Sequence, residues 1–191
     1  MSSPPKTGLL PRVSNVRRIQ NLALIGFMGG GKSAVGRIVA EQLRFTFLDT
    51  DELIETITGK SVAEIFAQQG EAAFRQCEAK VVEELTTRSK IVIATGGGLP
   101  INPANLASLR THALVVCLWA SPERIFERVR SQNHRPLLHD ADPLAKIRRL
   151  LAAREPFYRQ ADVLVNTELR SAREVAQQVI YQFRSALTDQ P

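Results

Sequence analysis

Long apolar runs are missing from this chain. None approaches the roughly 18 residues that a helix needs to cross a bilayer, so no membrane span is expected. Cysteine is scarce: Cys77 and Cys117 stand in no paired motif, which argues against a disulfide-stapled secreted fold and fits a reducing cytoplasm. The three histidines, His112, His134 and His139, are too scattered for a zinc site. No internal repeat occurs, and no N-K-x-D stretch of the kind that GTPases use for guanine. Acid is absent from the first 20 residues, which carry Lys6, Arg12, Arg17 and Arg18. Four of the 25 basic residues thus lie in this tail; the other 21 face 19 acids, and the net charge falls from +6 to +2. Basicity is largely a property of the tail, so nucleic acid is not the expected partner. Rich in Pro and Ser and short on periodicity, residues 1–20 read as a disordered extension. An acid-free start would also suit a transit peptide, but no clear amphipathic helix supports that reading.

What is present is a regular alternation. With 191 residues, 44% of them apolar, the chain can build one domain around a substantial core. Short apolar runs at 21–26, 45–49, 91–94, 113–119 and 162–166 read as strands. Between and after them, helical spacing predicts helices over 32–43, 51–58, 71–88, 143–155 and 171–187. Ser61 with Glu64 forms a capping box that opens another short helix, and Asn102–Pro103 and Ser121–Pro122 read as an N-cap followed by a first helical residue. Strands alternating with helices predict a mostly parallel sheet covered on both faces. The stretch 50–90 is long for a crossover and suggests a small inserted subdomain; "NHRPLLHDADP" reads as a loop.

The chemistry starts at "GFMGGGKS". Gly26, Gly31, Lys32 and Ser33 match G-x-x-x-x-G-K-[ST] between a strand and a helix, the context a phosphate-binding loop needs. Its glycines turn backbone N–H groups towards a phosphate, and the helix adds its positive end. Lys32 then reaches the β- and γ-phosphates of a nucleotide triphosphate, and Ser33 can hold Mg²⁺. In "FLDTDE", Asp49 and Asp51 lie two apart at a strand's carboxyl edge. Two-residue spacing predicts that both point to the ligand side, one towards the metal and one towards an acceptor hydroxyl. The plainer reading is helix capping.

Five stretches in order, "GFMGGGKSAVGR", "FLDTDELIE", "GEAAFRQCE", "ATGGG" and "RPLL" with "REPFYR", resemble the shikimate kinase family over about residues 21–185. The resemblance implies a three-layer α/β/α P-loop kinase, similar to nucleoside monophosphate kinases, with a five-stranded parallel sheet. One domain over 21–187 would carry a substrate-binding helical insertion at about 50–90 and a lid loop at about 131–142. It implies ATP and shikimate as substrates, Mg²⁺ as cofactor, and a cytoplasmic monomer. By the same resemblance, Asp51 meets the hydroxyl to be phosphorylated and Asp49 acts near Mg²⁺ with Ser33. Arg75 and Arg154 grip the substrate, and Gly97 contacts its ring through the backbone. Gly29, Gly30, Gly31 and Lys32 hold phosphate; Arg135 of "RPLL" closes on it, and Arg170 contacts the nucleotide. The family usually has a second hydroxyl residue after "GKS", where this chain has Ala34. On the residues alone, two other readings stay open. One is another small-metabolite P-loop kinase such as a gluconate kinase; the other is a nucleotide-dependent nucleic-acid-binding protein that uses the basic tail.

Overall fold

The computed structural model describes residues 17–130 and 142–188. Arg135, nearly all of the expected lid, and residues 1–16 lie outside them. Among the described residues five strands, β1 (Asn21–Ile25), β2 (Thr46–Asp49), β3 (Ile91–Ala94), β4 (Ala113–Trp119) and β5 (Val163–Asn166), form one sheet in the order β2-β3-β1-β4-β5. Every pairing is parallel. The helices among the described residues are α1 (Lys32–Leu43), α2 (Thr50–Thr58), α3 (Val62–Leu85), α4 (Pro103–His112), α5 (Pro122–Val129), α6 (Pro143–Tyr158) and α7 (Ala172–Thr188).

The sheet explains the apolar runs. In the central strand β1, Ala23 and Ile25 join the core on one face, while Leu22 and Leu24 join the core on the other. Alternate side chains thus serve both faces, and no polar position is left in the middle of the strand. Each such fully buried Leu or Ile contributes about 1.5–3 kcal/mol. On one face α1 and α7 pack together against the sheet through Val35, Val39, Val175, Val179 and Phe183. The other face buries Ile54, Phe74, Leu85, Leu109, Ile125 and Tyr158, drawn from α2 to α6.

The expected caps form. Ser61 and Glu64 make the reciprocal box at the start of α3, Asn102 caps α4, and Ser121 caps α5 ahead of Pro122. α3 runs from Val62, where the capping box opens the expected short helix, and continues into the longer one across a break at Gly70, whose φ of 79° no helix contains. The kink falls where the predicted longer helix begins. α6 continues past the predicted end at 155. Pro156 sits in its last turn, and the extension buries Tyr158 completely.

The expected tail boundary at residue 21 comes late, because residues 17–20 are already tied to the domain. Arg17 binds both carboxylate oxygens of Asp162, Ile19 packs on the core, and the Gln20 N–H donates to the His112 carbonyl at 3.0 Å. No described helix is long and apolar enough to cross a membrane.

Candidate active site

Parallel strands bring their carboxyl ends to one edge, and β1, β2 and β3 each release a functional loop there. After β1 the chain turns at Gly26. Its φ of 134° is closed to side chains, and a Cβ there would lie 2.5 Å from the Leu118 carbonyl oxygen. The loop ends on Gly31, the left-handed N-cap of α1, so the first turn of α1 aims its N–H groups at the loop's mouth. Lys32, the first residue of α1, is almost fully buried. Its Nζ donates to the carbonyls of Gly26 and Phe27, both at 2.9 Å, which pins the ammonium across the loop.

The two aspartates arrive differently from the expected strand alternation. Asp49 ends β2, but Asp51 already belongs to the first turn of α2. Capping and site-building coincide here. Asp49 Oδ1 accepts from the Asp51 N–H at 3.1 Å, while its Oδ2 accepts from Ser33 Oγ at 2.8 Å. Between the aspartates, Thr50 is buried and its hydroxyl accepts the Gly96 N–H at 2.9 Å. That bond ties the start of α2 to the glycine loop after β3.

One pocket of about 430 Å³ gathers these parts. Gly29, Gly31, Lys32, Ser33, Ala34, Asp49, Asp51 and Gly97 all line it, joined by Met28, Thr95, Gly96 and Arg128. Asp51 is half-buried at its wall. Burial first, and then the neighbouring charge of Asp49, push its carboxyl up to about 6, against the opposing pull of Lys32 and Arg75. Asp51 Oδ1 and Glu78 Oε1 are buried without a hydrogen-bond partner among the described residues. Both border the same spot, 2.6 and 3.2 Å from where a Cβ on Gly96 would sit.

Arg75 and Arg154 stand behind the next two glycines. A Cβ on Gly98 would lie 2.6 Å from both terminal nitrogens of Arg75, and one on Gly97 3.8 Å from Arg154 Nη1. Two arginines 79 positions apart in sequence thus flank adjacent residues of one loop. Arg75 is held by Glu78 at 2.7 Å and Glu71 at 2.8 Å, and Glu78 is wholly buried. Burial raises the Glu78 carboxyl above its usual range, with Arg75 pulling against that. Arg154 lies over the Phe27 ring at 5.4 Å, a cation–π distance. One turn on, the Tyr158 hydroxyl donates to the Gly97 carbonyl at 2.7 Å and braces the loop.

Gly30 and Arg170 line a second cavity of about 200 Å³ beside the phosphate loop. Arg128 borders both cavities; its guanidinium donates to the Thr167 carbonyl at 2.5 Å and hydroxyl at 3.0 Å. Sequence reasoning missed Arg128, Thr95 and the tie through Thr50. Arg128 sits one helical turn after Arg124 in a helix that the sequence marks by its Ser121–Pro122 cap, not by any site motif, and its partner is 39 residues away.

The family model described as shikimate kinase matches residues 28–184. A shikimate kinase of Caldanaerobacter subterraneus subsp. tengcongensis is 45% identical over 162 residues, covering 85% of this chain and 95% of its own. That of Thiobacillus denitrificans is 50% identical over 152 residues, covering 79% and 83%. The structure of shikimate kinase from Acinetobacter baumannii in complex with shikimate superposes with a TM-score of 0.83 at 38% identity, covering 89% of this chain and 96% of that one. With a phosphate loop facing a half-buried aspartate across one pocket, and matched over most of its length by these relatives, the chain belongs to the shikimate kinase family.

Proposed function

We propose that this chain transfers the γ-phosphoryl group of ATP to the 3-hydroxyl of shikimate, giving shikimate 3-phosphate and ADP. The observation that carries the reading is the shared pocket: the phosphate loop and Asp51 face one volume whose end wall is the loop of Gly96 and Gly97. The triphosphate lies along Gly29–Ser33, and the nucleoside end extends into the second cavity. Shikimate lies between Asp51 and the glycine loop. Arg75 and Arg154 meet its carboxylate, since a guanidinium fork matches a carboxylate in shape and charge. Gly97 gives the ring a surface without a side chain.

Phosphoryl transfer through a loose transition state asks mainly for positioning and charge stabilisation. Lys32 supplies fixed positive charge at the phosphates, and Arg135 adds to it. Asp51 orients the acceptor hydroxyl and takes its proton. With its carboxyl near 6 it is ionised at neutral pH, yet more basic than an exposed aspartate. Ser33 Oγ and Asp49 Oδ2, 2.8 Å apart, form a hard oxygen pair of the kind Mg²⁺ prefers. Among the described residues no three His, Cys, Asp or Glu side chains cluster as a metal cage. That fits an ion which keeps waters and binds through phosphates plus one or two protein oxygens. Held there, Mg²⁺ would offset negative charge on the transferring phosphates.

One chain supplies both the phosphate loop and the residues assigned to shikimate, and the working unit in this reading is a monomer. Free thiols at Cys77 and Cys117 suit a cytoplasmic setting. The test is ADP release from ATP with Mg²⁺, comparing shikimate, gluconate and nucleoside monophosphates as acceptors. ADP release that depends on shikimate is expected; turnover with gluconate in preference to shikimate overturns the reading.

A further inference from the structure

The cavity that takes the nucleoside end is walled by two elements far apart in sequence. On one side stands α5 with Arg124 and Arg128; on the other, the loop after β5 with Thr167 and Arg170, leading into Ala172 of α7. Its dimensions depend on how these two walls are joined. Two adjacent residues of the loop make the joints. Thr167 accepts two hydrogen bonds from Arg128, at the C-terminal end of α5, and Arg128 also donates to the Gly29 carbonyl of the phosphate loop at 3.4 Å. Glu168 accepts both donors of Ser121, at the N-terminal end: the N–H at 2.8 Å and the hydroxyl at 2.6 Å. The same hydroxyl accepts the Arg124 N–H at 3.2 Å as the cap of α5. A carboxylate at this position also faces the positive end of the helix, which strengthens the joint. The two Ser121 hydrogen bonds hold the Glu168 carboxyl below its ordinary range, as expected for a working acceptor. Glu168 itself lines neither cavity.

We propose that Glu168, acting through Ser121, is a positioning residue for the nucleotide: this latch fixes α5 against the loop after β5 and so sets the cavity for the base and ribose. The inference rests on reading that cavity as the nucleoside site. The latch touches no part of the shikimate side, so it separates the two substrates. Its loss loosens Arg124 and Arg128 together while leaving Asp51, Arg75 and Arg154 in place.

The experiment titrates ADP and shikimate calorimetrically against wild type, E168A, E168Q and A172W, with steady-state kinetics and melting temperatures alongside. E168A is expected to weaken ADP binding about 2- to 30-fold and to raise the KM for ATP alike, the range for couplings of this size. Shikimate affinity should stay unchanged. E168Q keeps one acceptor oxygen and should recover part of the loss. Unchanged ADP affinity in E168A and E168Q overturns the proposal. So does a fall in ADP and shikimate affinity together with melting temperature, which marks Glu168 as a general helix stabiliser. A172W places a large side chain in the cavity and tests the site itself. If A172W weakens ADP binding and E168A does not, the nucleoside site stands and the latch falls. If neither does, both fall.

Discussion

Replacing Asp51 by asparagine should make the ligand-free protein more stable while nearly abolishing turnover. Burial and the Asp49 charge raise the Asp51 carboxyl from an ordinary 3.8 to about 6. A group whose folded value is raised contributes its stability below the unfolded value and loses it as pH rises through the folded one. The ionised side chain is therefore a burden on the fold at neutral pH. At 1.36 kcal/mol per unit the burden reaches about 3 kcal/mol above pH 7, and about half of that at pH 5. An asparagine of the same shape removes it. For a domain of this size about 3 kcal/mol corresponds to a rise of roughly 6–12 °C in melting temperature. The assay is thermal unfolding of both proteins without ligand at pH 5 and pH 8, with turnover measured in parallel. The melting gap should widen from pH 5 to pH 8, and kcat should fall about 10²- to 10⁴-fold, less if transfer needs little base help. A gap that is absent, or that does not grow with pH, refutes the claim that the Asp51 charge is held against the preference of the fold.

Lys32→Ala should lower turnover at least 10²-fold, the scale for losing a fixed charge stabiliser, and circular dichroism should show the fold intact. Arg75→Ala or Arg154→Ala should weaken shikimate binding about 10- to 150-fold, for roughly 1.5–3 kcal/mol of lost charge-assisted bonding, with ADP affinity unchanged. In calorimetry, an analogue with a neutral amide in place of the carboxylate should lose affinity for wild type and much less for these variants. Gly98→Ala should keep the fold, since its φ of −97° suits alanine, but its Cβ would press on the Arg75 guanidinium 2.6 Å away. Its shikimate affinity should therefore fall towards that of Arg75→Ala while its melting temperature stays near wild type. In wild type, kcat/KM should rise with pH through about 6 as Asp51 ionises.

Most of the fold was legible because its signals are local. The five apolar runs became the five strands, and the capping pairs at Ser61, Asn102 and Ser121 all formed. The phosphate loop was legible for the same reason: its glycines, lysine and serine are contiguous. Asp51 was placed near its pocket by an argument that does not hold, since Asp49 caps α2 and ends the strand before alternation can act. Glu78 shows why the rest was hidden. Three residues after Arg75 on a helix, it reads equally as a surface ion pair, and only packing against the glycine loop makes it a buried one. Arg128 has no local mark at all, because its meaning lies in Thr167 and in the two cavities it borders.

The wholly buried Glu78 has an evolutionary consequence. Inside the protein Arg75 answers to the buried Glu78 and the exposed Glu71, and in the function proposed above it answers to the substrate carboxylate as well. A descendant that lost Arg75 to accept an uncharged acceptor would strand an unpartnered acid in its interior, at a cost of about 3–5 kcal/mol. That is a large share of the stability of a single domain. The path to a new acceptor therefore runs first through Glu78, by a neutral replacement such as Glu78→Gln, and only then through Arg75. Ancestors and laboratory lineages that change acceptor should show the substitutions in that order, and acid recognition should persist in this scaffold long after selection for it has relaxed.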